Sequence, residues 1–290
     1  GAVTVRYLVL GASGMAGHTI SLYLAERGND VVGFSRRPVS FLEKQINGDA
    51  HNQDLLRRIL LEGEFDICVN AIGILNNDAE ENMGDALYLN AELPHLLADI
   101  SKDSCTRVFQ MSTDCVFAGN TGPYTETSEP DGASAYDRTK AAGELKDGKN
   151  LTFRNSIVGP DMNRNGIGLL NWFMAQTGSV GGYTHAIWTG LTTLELAKAM
   201  ECAAGEPVTG LVNMVPRDNI SKYELLKLFN HELRNDSLSI FKDDSVRLDK
   251  TLIRTNYESS YRPSGYSQQV AEMADWIRLH RDLYPHYLLG

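Results

Sequence analysis

Tyr136-Asp137-Arg138-Thr139-Lys140 sets a phenol and an amine four residues apart in a stretch of helical character, so the two side chains share one face a turn apart. A phenol alone is a poor proton carrier at neutral pH, because its pKa is about 10. A neighbouring ammonium favours the phenolate and lowers that value, which would let the pair exchange a proton near neutrality. Upstream, Met111-Ser112-Thr113-Asp114 ends an apolar strand. The Thr113 hydroxyl could hydrogen-bond a carbonyl oxygen and orient it beside Tyr136. In a reductase Tyr136 would give that oxygen a proton as hydride reaches carbon, and Lys140 would anchor a nicotinamide ribose. The plainer reading is a YxxxK on a helix surface and a Ser-Thr pair that merely ends a strand.

A second constellation lies near the N-terminus. The first apolar strand runs into Gly11-Ala12-Ser13-Gly14-Met15-Ala16-Gly17, a GxxGxxG pattern that opens a helix. Gly11 permits a tight turn, Gly14 lets the backbone approach a pyrophosphate, and Gly17 allows close packing. The helix N-terminus then supplies free N–H groups to phosphates. The second strand ends in Ser35-Arg36-Arg37. A site for NAD places a carboxylate here to bind the ribose 2′-OH. Two arginines and a serine suit a 2′-phosphate, so NADP(H) is expected, with NAD use and a solvated arginine pair as the alternatives.

The elements that must position these groups alternate as strand and helix. Strands are expected at 5–10, 30–34, 46–49, 66–72, Arg107–Ser112 and 151–155. Helices are expected up to 27 and at 52–61, 82–100 (with Pro94 as a kink or break) and 133–145. The order implies an α/β fold with a doubly wound parallel Rossmann sheet, with residues 1–157 as its dinucleotide-binding domain. Residues 158–290 read mainly as a smaller, interwoven α/β substrate lobe, some of whose segments return to the sheet. Helices are expected there at 169–176, 194–202, 223–233 and 268–280, two of them behind capping boxes, Thr192-x-x-Glu195 and Ser221-x-x-Glu224. A short strand at 210–214 lies between them.

A net charge of −10 over 290 residues argues against sequence-independent nucleic-acid binding, which needs cations to displace phosphate counterions. No basic amphipathic stretch, long apolar run or secretory leader is visible, so a cytoplasmic chain that does not bind membranes is expected. The four cysteines lack metal-ligand or CxxC spacing, and reduced thiols are the simplest reading.

Taken in order, these signals resemble an extended short-chain dehydrogenase/reductase, and more narrowly the dTDP-4-dehydrorhamnose reductase family. The likeness is densest in Ser112-Thr113-Asp114-Cys115-Val116-Phe117-Ala118-Gly119, then Gly122-Pro123-Tyr124-Thr125-Glu126, then from Tyr136 to Glu144. Asn70-Ala71 and Leu89-Asn90-Ala91 resemble the family's cofactor-side segments. The resemblance implies Thr113, Tyr136 and Lys140 as the catalytic set. It implies that Gly11, Ser13, Gly14 and Met15 hold the pyrophosphate and that Asp49 and Ala50 flank the adenine. Ala71, Ile72, Gly73 and Asn90 would line the cofactor, Asn155 and Ser156 would lie near its nicotinamide end, and Asp114 and Cys115 would face the substrate.

The implied activity is NADPH-dependent reduction of the keto group of a nucleotide-activated 4-keto sugar in cell-surface polysaccharide synthesis. This chain has Cys115 where the family usually has a tyrosine that touches the sugar, which puts the identity of the sugar in doubt. Dehydratases related to the family carry an acidic residue there, so cysteine disfavours that chemistry. The family's metal-linked dimer cannot be mapped onto residues of this chain. No metal is therefore expected, and a homodimer stays open. Two other functions also stay open. One is a nucleotide-sugar epimerase. The other is a non-catalytic NADP-binding subunit, because the regulatory subunit of methionine adenosyltransferase resembles the same group.

Other residues weigh less. Cys115 reads as a pocket-lining thiol, because no histidine is placed to activate it. His18 reads as a helix-surface residue. His185 and Trp188, in an irregular lobe, suit sugar contact or packing equally. Tyr124 and Glu126 are expected to hold a loop over the site.

Overall fold

Short apolar segments build the central layer. A computed structural model describes residues 4–73 and 76–290. The strands are β1 (Arg6–Leu10), β2 (Asp30–Ser35), β3 (Lys44–Asn47), β4 (Ile67–Asn70), β5 (Arg107–Ser112) and β6 (Leu151–Arg154). With β10 (Gly210–Asn213) they form a seven-stranded sheet in the order β10-β6-β5-β4-β1-β2-β3, every neighbouring pair parallel. Alternation along β1 sends Tyr7 and Val9 to one face and Leu8 and Leu10 to the other, each face covered by helices.

One face is covered by α1 (Met15–Glu26) and α8 (Thr193–Ala204), through Ile20, Leu24, Leu196 and Met200. The other carries α2 (Gln53–Glu62) and α5 (Leu93–Ile100), through Leu56, Leu60, Leu93 and Leu97. Both α8 and β10 come from beyond residue 158, so the Rossmann layers are completed by chain that follows the motifs.

The helix expected at 82–100 is not continuous. Helical turns begin earlier, as α3 (Asn76–Glu81), and break at Asn82. They resume as α4 (Met83–Ala86), widen into a π-turn over Leu87–Glu92, and return to α geometry with Pro94 in the first turn of α5. Proline tolerates that position because its missing N–H has no partner to lose there. The widened turn carries Asn90 inward against α6 (Ala135–Ala142). At Gly143, the C-cap of α6, a Cβ would meet the Asn90 carbonyl at 1.9 Å.

The remaining chain forms a second core around Trp188, Leu225, Phe229, Val270, Trp276 and Ile277. It contains α7 (Leu169–Met174), β8 (Ser179–Trp188), β9 (Gly190–Thr192), β11 (Ile220–Ser221), α9 (Lys222–Arg234), β12 (Ser239–Asp249) and α10 (Tyr266–Leu279). Residues 183–188, expected to be irregular, belong to the ten-residue β8. The β7 strand (Ser156–Val158) pairs with β9. Both expected caps form in part: Thr192 and Ser221 each accept from the backbone N–H three residues on, at 3.1 Å. Glu195 does not return the bond. Its carboxylate accepts from Tyr261 Oη at 2.7 Å and Ser264 N at 2.9 Å.

Candidate active site

The sheet opens at the carboxyl ends of β1 and β4, where the strand order reverses. Gly11 takes φ +83°, and a Cβ on it would lie 2.9 Å from the Ala71 carbonyl oxygen of the adjacent strand end. Gly14 N donates to Gly11 O at 3.0 Å, and Gly14 caps α1 without a side chain. A Cβ on Gly17 would lie 1.9 Å from Gly11 O, so this glycine is what lets the helix sit against its own loop. Ser13 and Gly14 are exposed, and Met15 is half-buried. The loop thus presents the unpaired N–H groups of the first turn of α1 to the crevice.

His18 is not on the surface. It is fully buried, donates from Nδ1 to Gly14 O at 2.8 Å, and accepts at Nε2 from Tyr284 Oη at 2.6 Å. Burial pushes its imidazole down to about 4, so the ring is neutral and ties the phosphate loop to the far C-terminal chain. The period of α1 could not reveal this, because the partner lies 266 residues away.

At the end of β2, Arg36 and Arg37 are exposed while Ser35 is buried, its hydroxyl donating to Arg37 O at 2.5 Å. Ser35 therefore shapes the turn that presents the arginines. Asp49 accepts from His51 N at 2.8 Å and His51 Nδ1 at 2.7 Å, which hold its carboxyl below the usual range, with the Arg36 charge adding to the effect. His51 also reaches Asp85 at 3.1 Å and stacks on Tyr88, whose hydroxyl donates to Ala50 O. His51 and Tyr88 were missed by sequence reasoning, since no motif marks them.

Ala71 and Ile72 are half-buried and Gly73 is exposed. A Cβ on Gly73 would meet Asn90 Oδ1 at 3.1 Å and Lys140 Nζ at 3.8 Å. Asn90 itself donates to Thr139 Oγ1 at 3.2 Å. Asn155 is buried, and its Oδ1 has no hydrogen-bond partner among the described residues. A glycine-floored cradle, an orphaned buried amide oxygen and a phosphate loop along one line fit a dinucleotide. Ser156 Oγ is taken by the Trp188 indole at 2.9 Å. Trp188 packs on Tyr266 and is core, while the half-exposed His185 faces Asp244 at 3.8 Å.

The catalytic candidates converge. Ser134 and Asp137 form a reciprocal cap that starts α6 one residue before Tyr136. Tyr136 and Lys140 then face the end of β5, where Thr113 caps the short 3-10 turn Asp114–Val116. The electrostatics differ from the sequence expectation. Burial, with Cys115 next, pushes the Tyr136 phenol up, and the nearby Thr113 hydroxyl works the other way. The Lys140 amine donates to Met111 O at 2.9 Å, and burial pushes it down to about 8. Tyr136 is therefore held as a protonated phenol, a proton donor rather than a phenolate.

Asp114 is buried and its carboxyl is pushed up to about 6 by burial, opposed by Lys250, Thr113, Cys115 and Lys222. The Cys115 thiol is pushed up to about 11, mostly by burial and then by Asp114, so it remains a thiol. Tyr124 and Glu126 hold the loop as expected. Tyr124 Oη accepts from Gly119 N and Thr121 N, while Glu126 accepts from Asn213 N, Thr255 N, Thr255 Oγ1 and Asn256 N. The strap 251–256 is thereby laced to the active-site loop.

This geometry can be set beside known proteins. The model of the RmlD substrate binding domain family matches residues 5–158. The chain belongs to that family.

Among curated relatives, this RmlD-family chain is 34% identical over 143 residues to a Streptomyces antibioticus protein described as "Probable dTDP-4,6-dihydroxy-2-methyloxan-3-one 4-ketoreductase", covering 48% of this chain and 45% of the relative. It is 30% identical over 149 residues to the dTDP-4-keto-6-deoxy-D-glucose reductase of Streptomyces niveus, covering 49% and 47%. The matches thus span about half the length of these relatives. Among solved structures, dTDP-4-dehydrorhamnose reductase from Bacillus anthracis in complex with NADP superposes with a TM-score of 0.77 over 93% of this chain and 99% of that one. At 16% identity that likeness shows the fold alone. No helix among the described residues is long and apolar enough to cross a membrane.

Proposed function

We propose that this RmlD-family chain is an NADPH-dependent reductase of the keto group of a nucleotide-activated 4-keto sugar. The observation that carries the reading is the packing of α6, which carries Tyr136, against the Asp114–Val116 turn that Thr113 caps at the carboxyl end of β5, with the Tyr136 proton held in place by burial. Thr113 orients the carbonyl oxygen, and Tyr136 donates the proton that the new alcohol requires. Gly11, Gly14 and the first turn of α1 would hold the pyrophosphate. Arg36 and Arg37 would take the 2′-phosphate, and Lys140, Gly73 and Asn155 would line the nicotinamide end. When bound, NADPH supplies the hydride. The names of the relatives, reductases of dTDP-linked keto sugars, support the substrate class. Residues beyond 158, apart from α8 and β10, would serve as the substrate lobe, whose Lys222 and Lys250 charges oppose the upward shift of the Asp114 carboxyl. A cytoplasmic setting, where NADPH is kept reduced, goes with this reading.

The test is NADPH oxidation against a panel of dTDP-, UDP- and GDP-linked 4-keto sugars, with Tyr136→Phe as control. Turnover of one of them that disappears in the variant supports the proposal. NADPH binding without turnover of any would sink it in favour of a binding subunit or an epimerase.

A further inference from the structure

A buried polar relay ends on the phosphate loop. The Trp276 indole Nε1 donates to Tyr284 Oη at 3.4 Å, and Tyr284 Oη gives its own proton to His18 Nε2, 2.6 Å away. A neutral imidazole that accepts at Nε2 carries its proton on Nδ1. That proton goes to Gly14 O at 2.8 Å, a carbonyl that already accepts the first helical bond of α1 from His18 N at 3.0 Å. His18, Trp276 and Tyr284 are all buried, so water does not compete for these bonds.

The residue at the head of the relay is itself held. The Tyr284 ring stacks on Tyr287 at 5.5 Å. Tyr287 Oη donates to Asn171 Oδ1 at 2.6 Å and accepts from Asp161 N at 2.9 Å, and His286 Nε2 donates to Asp161 O at 2.8 Å. Asn171 Nδ2 in turn donates to Asn163 O at 2.9 Å and Gly166 O at 3.0 Å. The Tyr284 hydroxyl is thus a fixed point set by chain far from the loop it reaches. The helical bond from His18 N already closes the first turn of α1, so the second bond to Gly14 O has another use. In a planar trans peptide the C=O and the N–H point in opposite directions. Pinning Gly14 O against the body of α1 therefore turns the Met15 N–H of the same peptide outward from the helix end. Gly14 makes no side-chain cap and has no Cβ to restrict it, so the restraint must come from outside.

We propose that His18 and Tyr284 are positioning residues for the cofactor: by pinning Gly14 O they aim the Met15 N–H at the pyrophosphate of a bound dinucleotide. The proposal rests on the reading of the Gly11–Gly17 loop as the phosphate site.

The experiment compares two ligands in the full chain. NADPH binding is followed by fluorescence, and binding of adenosine 2′-phosphate, which carries the adenine, ribose and 2′-phosphate but no pyrophosphate, by calorimetry. Tyr284→Phe should raise the NADPH dissociation constant about fivefold and His18→Leu about tenfold, with adenosine 2′-phosphate unaffected by either. His18→Asn, whose amide can still donate to Gly14 O, should bind NADPH within about twofold of the parent. His18→Gln, whose amide reaches toward Tyr284 instead, should be as weak as His18→Leu. Thermal unfolding checks that each variant folds. If Tyr284→Phe or His18→Leu does not, because buried groups lose their partners, the Asn and Gln variants decide alone, since both keep a polar side chain at this position. Equal weakening of both ligands, or equal NADPH affinity in His18→Asn and His18→Gln, overturns the proposal, because packing alone cannot single out the ligand with a pyrophosphate. A parent that binds NADPH and reduces no keto sugar ends the functional reading and leaves this test standing. A parent that binds neither ligand overturns both.

Discussion

The floor of the crevice and its cover are built differently. On the floor, Gly11, Arg36, Ala71, Thr113 and Asn155 each follow directly on the last residue of a parallel strand, β1, β2, β4, β5 and β6 in turn. The cover is drawn from segments far apart in sequence and joined by hydrogen bonds over long separations. Glu126 reaches Thr255 and Asn256, Tyr124 pairs with 251–253, and His18 reaches Tyr284. Parallel strands with crossovers of one hand deliver their carboxyl ends to one edge whatever the rest of the chain does. A cover has no such rule, and its place depends on which partners it finds.

If the floor does the chemistry, Tyr136→Phe should lower kcat by about a thousandfold and leave the NADPH dissociation constant unchanged. A loss under tenfold would mean that the proton comes from the cover instead. Next in size is Gly17→Ala, where the added Cβ would overlap a backbone carbonyl at 1.9 Å. A loss of about 3 kcal/mol in denaturant unfolding is expected. A neutral result would show that the phosphate loop is not the rigid part of the floor.

Where floor and cover meet, Asp114 should report their closure. Its folded value, about 6, lies above the ordinary carboxyl value, so the folded chain favours the protonated form. The stability that protonation brings is present below about pH 4 and lost as pH rises through about 6. Asp114→Asn should therefore be more stable than the parent by about 3 kcal/mol at neutral pH and no different in acid. A gain of equal size at both pH values would contradict the burial of this carboxyl between the two regions. For the cover, Glu126→Gln should cost about 1.5 kcal/mol and raise the KM for the sugar nucleotide, with NADPH affinity unchanged. A parallel loss of NADPH affinity would erase the distinction between the regions. The smallest effect falls at the exposed edge of the floor. Arg36→Ala/Arg37→Ala should reduce the preference for NADPH over NADH by about tenfold, read from the ratio of kcat/KM values.

The floor was legible in the sequence for the same reason that it is regular. An apolar strand followed by glycines, a strand ending in Ser-Thr, and a YxxxK on a helix are local patterns, and each lies where its spacing predicts. The third strand sits at Lys44–Asn47, two residues before the expected position, since its half-exposed residues carry little apolar signal. The 82–100 helix looked continuous, because no glycine or proline within Leu87–Glu92 marks the widened turn in the sequence. Asn90 owes its place to that widening.

Burial was the least legible quantity. His18, taken as a surface residue, is in the core, and Lys140, expected to tune Tyr136, is itself shifted by desolvation. What the amino-acid sequence determined alone was the order of strands and helices, and with it the glycines and catalytic side chains that must gather at one edge of a parallel sheet. Only the tertiary structure decided which of those side chains lose water, which distant carboxylate or hydroxyl satisfies them, and which residues cover them. Local patterns are set by backbone sterics and period, whereas burial and charge depend on atoms that sequence distance does not bring together.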